Sequence, residues 1–389
     1  MTTPSSSDLR GASPDRICDA LRGGDPLPGG RGFAGLLRDP PNREGPVLVR
    51  DVLGREPLFV ERGGADPASG GDPTDSGIWS FDRTDLDDPE PVPAGTVASS
   101  AGAERVWSLP DEEPVDAESG QAAVDEALGA VLGEIKTEAN RNDLAVAFSG
   151  GIDSGVVAAA VPDAPCYVAG FEGCHDIEAA REAATAMELD LRVVEITHDD
   201  LVRAVGAVAA ATGRRNPMDV AIAVPLYLAA EAAATDGIDR LAVGQGADEL
   251  FGGYSKVVNP AGDDRVAAET VRGARTETVR TLPEQLDRDV LALRAAGVEP
   301  VAPLLDDRLV AAALALPGEL LASDDERKVA LRRAATDRVP ESVRTADKKA
   351  VQYGTYVSRE IDRLARRAGF KRRMDDHVGQ YLDALLAEQ

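Results

Sequence analysis

The sequence predicts an α/β protein: a doubly wound parallel sheet preceded by a smaller β-rich N-terminal domain. Three observations predict it. From about residue 121, wholly apolar strands alternate with amphipathic helices, the pattern of a parallel sheet covered on both faces. Before that point, short apolar segments are separated by Gly- and Pro-rich turns, as in antiparallel strands. A chain of 389 residues, 43% of them hydrophobic, is long enough for two cores.

The elements follow in order. Residues 1–30, rich in Ser, Gly, Pro and Asp, read as a flexible N-terminus. Residues 31–110 read as the β-rich domain. Apolar segments at 32–37, 46–50 and 56–61 predict a β-meander, with Asp51–Arg55 as the turn between the last two. Residues 63–77 read as a turn-rich loop, and further strands surround Trp79 and Trp107. The acidic stretch 111–120 reads as a linker. The α/β domain then runs from 121 to 360. Its first helix is 121–139, and its strands are 143–148, 166–171, 191–196 and 240–244. Helices are expected from 155, at 176–188, at 199–212 and at 218–235. Residues 361–389 form a C-terminal helical tail, whose Arg-rich part, 363–373, reads as an amphipathic helix balancing the acidic body.

Charge narrows the functional classes. Asp plus Glu total 68 against 42 Lys plus Arg, a formal net charge of -26. Such a chain repels nucleic-acid phosphates and anionic membrane surfaces, so general nucleic-acid binding is disfavoured, while a local basic pocket for an anionic ligand stays open. Only six residues are Lys, at 136, 256, 328, 348, 349 and 371. Dense acid with little Lys suits a halophilic source, where salt screens the self-repulsion. The three cysteines, Cys18, Cys166 and Cys174, make no CxxC pair and no disulfide framework. No signal-type apolar core opens the chain and no uninterrupted apolar run is long enough to cross a bilayer, so the expected location is cytoplasmic. Cys174-His175 suggests a metal pair, but no further Cys/His cluster supports one.

In open parallel sheets the ligand sits at the carboxyl ends of the strands, near a switch in strand order. Both loops at those places are dense in chemistry. After the first strand comes Ser149-Gly150-Gly151-Ile152-Asp153-Ser154, then a helix. Two glycines let backbone close around an anion, Ser149 and Ser154 offer hydroxyls, and the helix start adds N–H donors. Asp153 would repel phosphate unless it holds Mg²⁺ that bridges to the phosphates. After the fourth strand comes Gly244-Gln245-Gly246-Ala247-Asp248-Glu249-Leu250-Phe251-Gly252-Gly253-Tyr254. Asp248 would be a second Mg²⁺ carboxylate facing Asp153. Either Asp alone is more simply a helix cap; two in Gly-rich loops after parallel strands point to metal.

S-G-G-x-D-S is similar to the signature of the ATP pyrophosphatase, or PP-loop, group. With GADELFGGY, residues 121 to about 360 resemble the synthetase domain of asparagine synthetases and of the related β-lactam-forming synthetases. Residues 174–188, 216–227, 297–299 and 301–306 add weaker matches, as do Lys328 and the pair Lys348-Lys349. The resemblance implies ATP and Mg²⁺ as cofactors and a carboxylate that attacks the α-phosphorus. An acyl-adenylate and pyrophosphate form, and an amine then displaces AMP. It implies that Ser149, Gly150, Gly151 and Ser154 hold pyrophosphate and that Asp153 and Asp248 hold Mg²⁺. Adenine would lie between Ala147, Phe171 and the Gly246 backbone, and Lys348 would steady negative charge.

One departure concerns the proton. Asparagine synthetases usually carry Glu where Gln245 stands, and Gln cannot accept a proton. The β-lactam-forming relatives place Tyr there, working with a Glu that resembles Glu299. Three readings stand: Gln245 only orients the amine, the amine is not ammonia, or the protein adenylates without forming an amide. A second departure concerns the N-terminal region. It resembles a shortened glutaminase domain of the N-terminal-nucleophile type, through VLVRDVLGREPLFV and PVPAGTV. Yet Thr2 follows Met1, and Cys18 is internal. The thiol that such glutaminases expose is missing, so a structural β-layer is expected.

The expected function is therefore an ATP-dependent, AMP-forming amide ligase without its own glutaminase. Its partners are a small-molecule carboxylate, aspartate by default, and ammonia or another amine, with a separate ammonia-supplying amidotransferase left open. The alternatives are a different carboxylate and amine, or a non-catalytic ATP-binding regulatory or assembly protein.

Overall fold

The computed structural model describes residues 8–62, 78–111, 113–139, 143–323, 326–346 and 354–387. The loop expected at 63–77 lies outside these residues.

The N-terminal part builds two antiparallel sheets. Strands β1 (Leu9–Arg10), β2 (Ala34–Leu37), β3 (Val47–Arg50), β7 (Thr96–Ser99) and β8 (Gly102–Arg105) make one, in the order β1-β2-β3-β7-β8. Strands β4 (Phe59–Glu61), β5 (Trp79–Ser80) and β6 (Pro89–Pro91) make the other, in the order β5-β4-β6. This corrects the expected meander. β2 and β3 do pair antiparallel, but β4 leaves for the second sheet. The segment between is buried structure: Asp51 accepts from the Leu53 and Arg55 backbone N–H groups at 3.0 and 2.9 Å and pairs with the Arg55 guanidinium at 2.8 Å. Trp107 packs edge-on against Phe33, ring centroids 5.3 Å apart, after β8 has ended.

The expected flexible N-terminus is also corrected over residues 8–30, residues 1–7 lying outside the described residues. Helix α1 (Pro14–Gly23) is capped by the Ser13 hydroxyl, carries Pro at its first position and closes on Gly24 in the left-handed region. Ile17, Cys18 and Ala20 are buried, so composition here marks turns around an anchored helix. The linker expected at 111–120 is cut short as well. Helix α2 (Ala117–Glu138) opens inside it, because the Asp116 carboxylate accepts from the Ser119 N–H at 2.9 Å.

The remaining chain builds the parallel sheet. Strands β9 (Leu144–Ala147), β10 (Cys166–Gly170), β11 (Leu191–Glu195), β12 (Arg240–Ala242) and β13 (Glu299–Val301) lie in the order β11-β10-β9-β12-β13, and every pairing is parallel. Helices α3 (Ile152–Ala160), α4 (His175–Met187), α5 (His198–Thr212) and α6 (Pro217–Thr235) connect the strands. Side chains alternate between two cores, as strand pleating requires. Leu144, Val146 and Phe148 join α2, α3 and α4 on one face, while Ala145, Tyr167 and Ala169 join α5 and α6 on the other. The sheet is thus doubly wound, as the apolar strands predict. Among the described residues one helix, α6, is long and apolar enough to cross a membrane, and most of it is packed into the body.

Order reverses between β9 and β12: the chain steps from β9 outward to β10 and β11, then returns to the other side of β9. The two motif-bearing loops leave neighbouring strands at this reversal, on the carboxyl side.

Candidate active site

A cavity of about 250 Å³ opens at the strand-order reversal. The first wall comes from the loop after β9: Ala147, Ser149, Gly151, Asp153 and Ser154. Gly151 starts α3 with no side chain capping its first N–H groups. The loop braces itself. Ser149 N–H donates to Ser154 Oγ at 3.2 Å, and that hydroxyl donates to the Gly151 carbonyl at 3.2 Å. Ser154 is buried and thus shapes the loop, while its partner hydroxyl on Ser149 sits 3.4 Å away. Gly150 has φ 74° and lies against the Ala179 carbonyl, where a Cβ would fall at 2.6 Å.

The second wall comes from the loop after β12: Gly244, Gln245, Gly246, Asp248, Glu249, Gly253 and Tyr254. The two loops touch at Gly244, where a Cβ would meet that of Asp153 at 2.9 Å and Ser154 N at 3.0 Å. Helix α7 (Ala247–Phe251) carries Asp248 and Glu249. Burial pushes the Glu249 carboxyl up to about 7, neighbouring Asp248 adds to this, and a 2.5 Å hydrogen bond from the Tyr254 hydroxyl works against it.

Lys328 joins the loops. Its Nζ donates to both Asp153 carboxylate oxygens at 2.7 Å and lies 2.6 Å from Asp248 Oδ1. Burial alone would lower this ammonium's pKa; the carboxylates of Asp153 and Asp248 outweigh it and raise the pKa. Lys328 holds a left-handed backbone, φ 59° and ψ 39°, just before the helix Val329–Ala334. Its own N–H donates to the Leu321 carbonyl at 2.8 Å, which fixes that conformation.

The expected Mg²⁺ can be judged against these groups. Asp153 and Asp248 are hard oxygen donors converging on one cationic centre, the Lys328 ammonium. Among the described residues no group of three or more His, Cys, Asp or Glu gathers that could hold a metal. Mg²⁺ ordinarily takes one or two carboxylates and completes its shell with substrate phosphates and water. The donor set fits that use.

The third wall is a set of side chains on helices. Ile222 and Leu226 come from α6, and Gln285, Arg288 and Asp289 come from the helix Leu282–Ala295. Arg327, Arg332 and Ala346 complete it. Arg332 donates to the carbonyls of Arg327 at 2.8 Å and Ala346 at 3.2 Å, and also to that of Arg344.

The structure brings together Ala147, Ser149, Gly151, Asp153, Ser154, Gln245, Gly246 and Asp248, with Gly150 in the same loop. It does not bring in Glu299. That residue opens β13 opposite Arg240, at the amino ends of the strands, and is tied to Arg294 at 2.5 Å. In a parallel sheet this is the far edge from the site. Phe171 follows β10 but packs against His198, ring centroids 6.0 Å apart, outside the cavity wall. Lys348 and Lys349 lie outside the described residues. Cys174 is buried at the start of α4, and the tail's basic residues Arg366 and Arg372, with His377, surround Asp362.

Sequence reasoning placed Lys328 among family lysines but not between the two carboxylates. It missed Arg288, Asp289 and Gln285 altogether. The run Asp287-Arg288-Asp289 reads as a solvated face, yet all three residues are buried.

The comparisons now bear on this geometry. The asparagine synthase family model matches residues 138–278 and 261–387, more than half of the chain. The chain belongs to the asparagine synthase family. Its ATP pyrophosphatase type of parallel sheet goes with that membership. A Methanocaldococcus jannaschii protein bearing the name of a glutamine-hydrolyzing asparagine synthetase is 28% identical over 275 residues, 61% of this chain and 50% of that protein. The asparagine synthetase of Asparagus officinalis is 26% identical over 302 residues, 70% of this chain and 48% of that protein. The chain spans about half the length of the curated relatives it matches. Among solved structures, the NH3-dependent NAD synthetase from Campylobacter jejuni covers 69% of this chain and 94% of its own, at 10% identity and a TM-score of 0.29. Superposition at that level is too loose to carry a functional comparison.

Proposed function

We propose that the protein is an ATP-dependent, AMP-forming amide ligase that adenylates a carboxylate for attack by an amine. The observation that carries this reading is the convergence of Asp153 and Asp248, from two different strand ends, on one cationic centre beside the open N–H groups of α3. A structural turn needs neither carboxylate, and a pure anion site is harmed by both. Phosphates bridged by Mg²⁺ need both.

In this reading the backbone of 149–151 and the start of α3 take the pyrophosphate part of ATP. Asp153 and Asp248 would hold Mg²⁺, which would supply neutralisation of phosphate charge. Lys328 stands where it can follow the phosphates, a point cation held by two anions until the nucleotide arrives. Lys348 serves the adenylation and amide-forming steps, and Ala147 and the Gly246 backbone border adenine. Aspartate is the default carboxylate and ammonia the default amine. Gln245, on the cavity wall, orients the amine without taking its proton. The N-terminal region serves as a structural layer without glutaminase activity.

The test is pyrophosphate release from ATP and Mg²⁺ in concentrated KCl, with aspartate, ammonia and glutamine supplied in turn. Aspartate-dependent release, with asparagine formed from ammonia but not from glutamine, supports the reading. ATP binding with no carboxylate-dependent release across a panel of acids sinks the ligase and favours an ATP-binding regulator.

A further inference from the structure

Where the first two walls of the cavity meet, a tethered cation already engages the carboxylates. Lys328 is only 7% exposed, and its Nζ has three carboxylate oxygens in reach: both of Asp153 at 2.7 Å and Oδ1 of Asp248 at 2.6 Å. An ammonium has three N–H donors, one for each. The two carboxylates come from the ends of different strands, so the chain has to fold before they share this partner.

The surroundings hold the ammonium at that point. Lys328 N–H donates to the Leu321 carbonyl at 2.8 Å, and the Lys328 carbonyl accepts from Arg332 N–H at 2.9 Å. The backbone between is left-handed, φ 59°, which is uncommon for a residue with a side chain and persists only where neighbours impose it. The lysine stem runs past Gly253, where a Cβ would fall 2.3 Å from Lys328 Cε and 1.9 Å from Asp248 Oδ1. Arg327 Nη1 donates to the Gly253 carbonyl at 2.8 Å, which steadies the backbone at this crossing. With its main chain pinned, Lys328 can move Nζ only by turning its flexible four-carbon stem.

This arrangement bears on how a metal enters. Mg²⁺ sits about 2.0–2.1 Å from its oxygens. On the oxygens that Nζ already touches, a free divalent ion would meet a like charge, and displacing it would strip a buried ammonium of its anions. Nucleotide phosphates change the balance, because they offer the ammonium another anion to bind. We propose, on the ligase reading that makes the metal Mg²⁺, that Lys328 is a specificity-determining residue of the metal site. Its ammonium excludes free divalent cations from Asp153 and Asp248 and yields the carboxylates only to phosphate. The site therefore takes metal together with nucleotide and not alone.

The experiment is a titration of the full chain with Mn²⁺ in concentrated KCl, read by the electron paramagnetic resonance of the free ion. Asp153→Asn sets the background from the acidic surface. Without nucleotide, wild type should bind no more Mn²⁺ than this variant; with a non-hydrolysable ATP analogue it should gain one site. Lys328→Met should gain that site without nucleotide, at least about tenfold tighter than wild type. Urea titration gives a second readout: millimolar Mg²⁺ alone should raise the midpoint of Lys328→Met and leave that of wild type in place. Lys328→Gln repeats both measurements should the methionine variant not fold. Wild type that binds Mn²⁺ without nucleotide as tightly as Lys328→Met overturns the proposal, and so does a folded Lys328→Met with no site above background. A site present in both proteins without nucleotide would keep the Mg²⁺ assignment and sink this inference alone. Absence of any site in wild type with the ATP analogue would sink the Mg²⁺ assignment and this inference with it.

Discussion

The cavity has two kinds of wall, and they are built by different means. The phosphate-side wall is made of loop backbone, glycines and helix starts at the ends of β9 and β12. The opposing chemistry is made of long side chains projected from helices, above all Arg288 and Asp289. Backbone walls demand particular residues: a Cβ at Gly244 or Gly150 collides with neighbouring backbone. Side-chain walls demand only that a helix pass by at the right height. The first kind is therefore specified tightly by its sequence.

The largest effect expected from breaking the first wall is that of Asp153→Ala. It removes one of the two carboxylates proposed to hold Mg²⁺ and leaves Lys328 paired with Asp248 alone, and carboxylate-dependent ATP–pyrophosphate exchange should fall by at least about 100-fold. Exchange within threefold of wild type would refute the Mg²⁺ assignment. Next is Lys328→Met. It leaves the Asp153 and Asp248 carboxylates facing each other without the ammonium, and should cost about 2–3 kcal/mol of stability, read by urea titration without nucleotide. An unchanged midpoint would mean that the bridge contributes nothing to the fold.

Gln245→Glu sharpens the comparison from the reaction side. If ammonia is the amine, a carboxylate here should raise ammonia-dependent amide formation by about tenfold, with the KM for ATP little changed. No gain while adenylation persists would point to another amine. The smallest effect concerns pH. Glu249 is more basic in the folded chain than in the unfolded one, so the folded state binds the extra proton. Its contribution is complete below about pH 4.5 and is lost as pH rises towards 7. In nucleotide-free protein, stability should thus fall across that window by an amount on the order of 2 kcal/mol, and Glu249→Gln should flatten the slope. Thermal melts of both proteins from pH 5 to 8 would show it; parallel profiles would assign the titration elsewhere.

The same contrast explains what the sequence made legible. Parallel strands, their two-faced burial and both phosphate-side loops follow from local pattern, since apolar runs and glycine spacing are local facts. Asp153 and Asp248 were singled out because each sits in such a loop, and both line the cavity. Glu299 failed because its resemblance came without a register: being first in β13, not last, placed it at the wrong edge. Arg288 and Asp289 were invisible because a charge run looks solvated until the tertiary structure buries it. The N-terminal strands were readable one at a time, but the departure of β4 to a second sheet depends on the buried Asp51–Arg55 pair, which no periodicity reports.

That N-terminal layer does not end at its own sheets. Arg50 reaches across to Asp287 at 2.5 Å, Glu56 to Arg294 at 2.7 Å, and Arg55 to Asp307 at 2.6 Å. Two of these three rivets fasten the helix that presents Arg288 and Asp289. A truncation designed to isolate the synthetase part would therefore leave Asp287 without its Arg50 partner, while Arg294 would keep only Glu299. A directed-evolution library confined to the cavity lining would accordingly leave out the residues that hold this wall of the cavity in place.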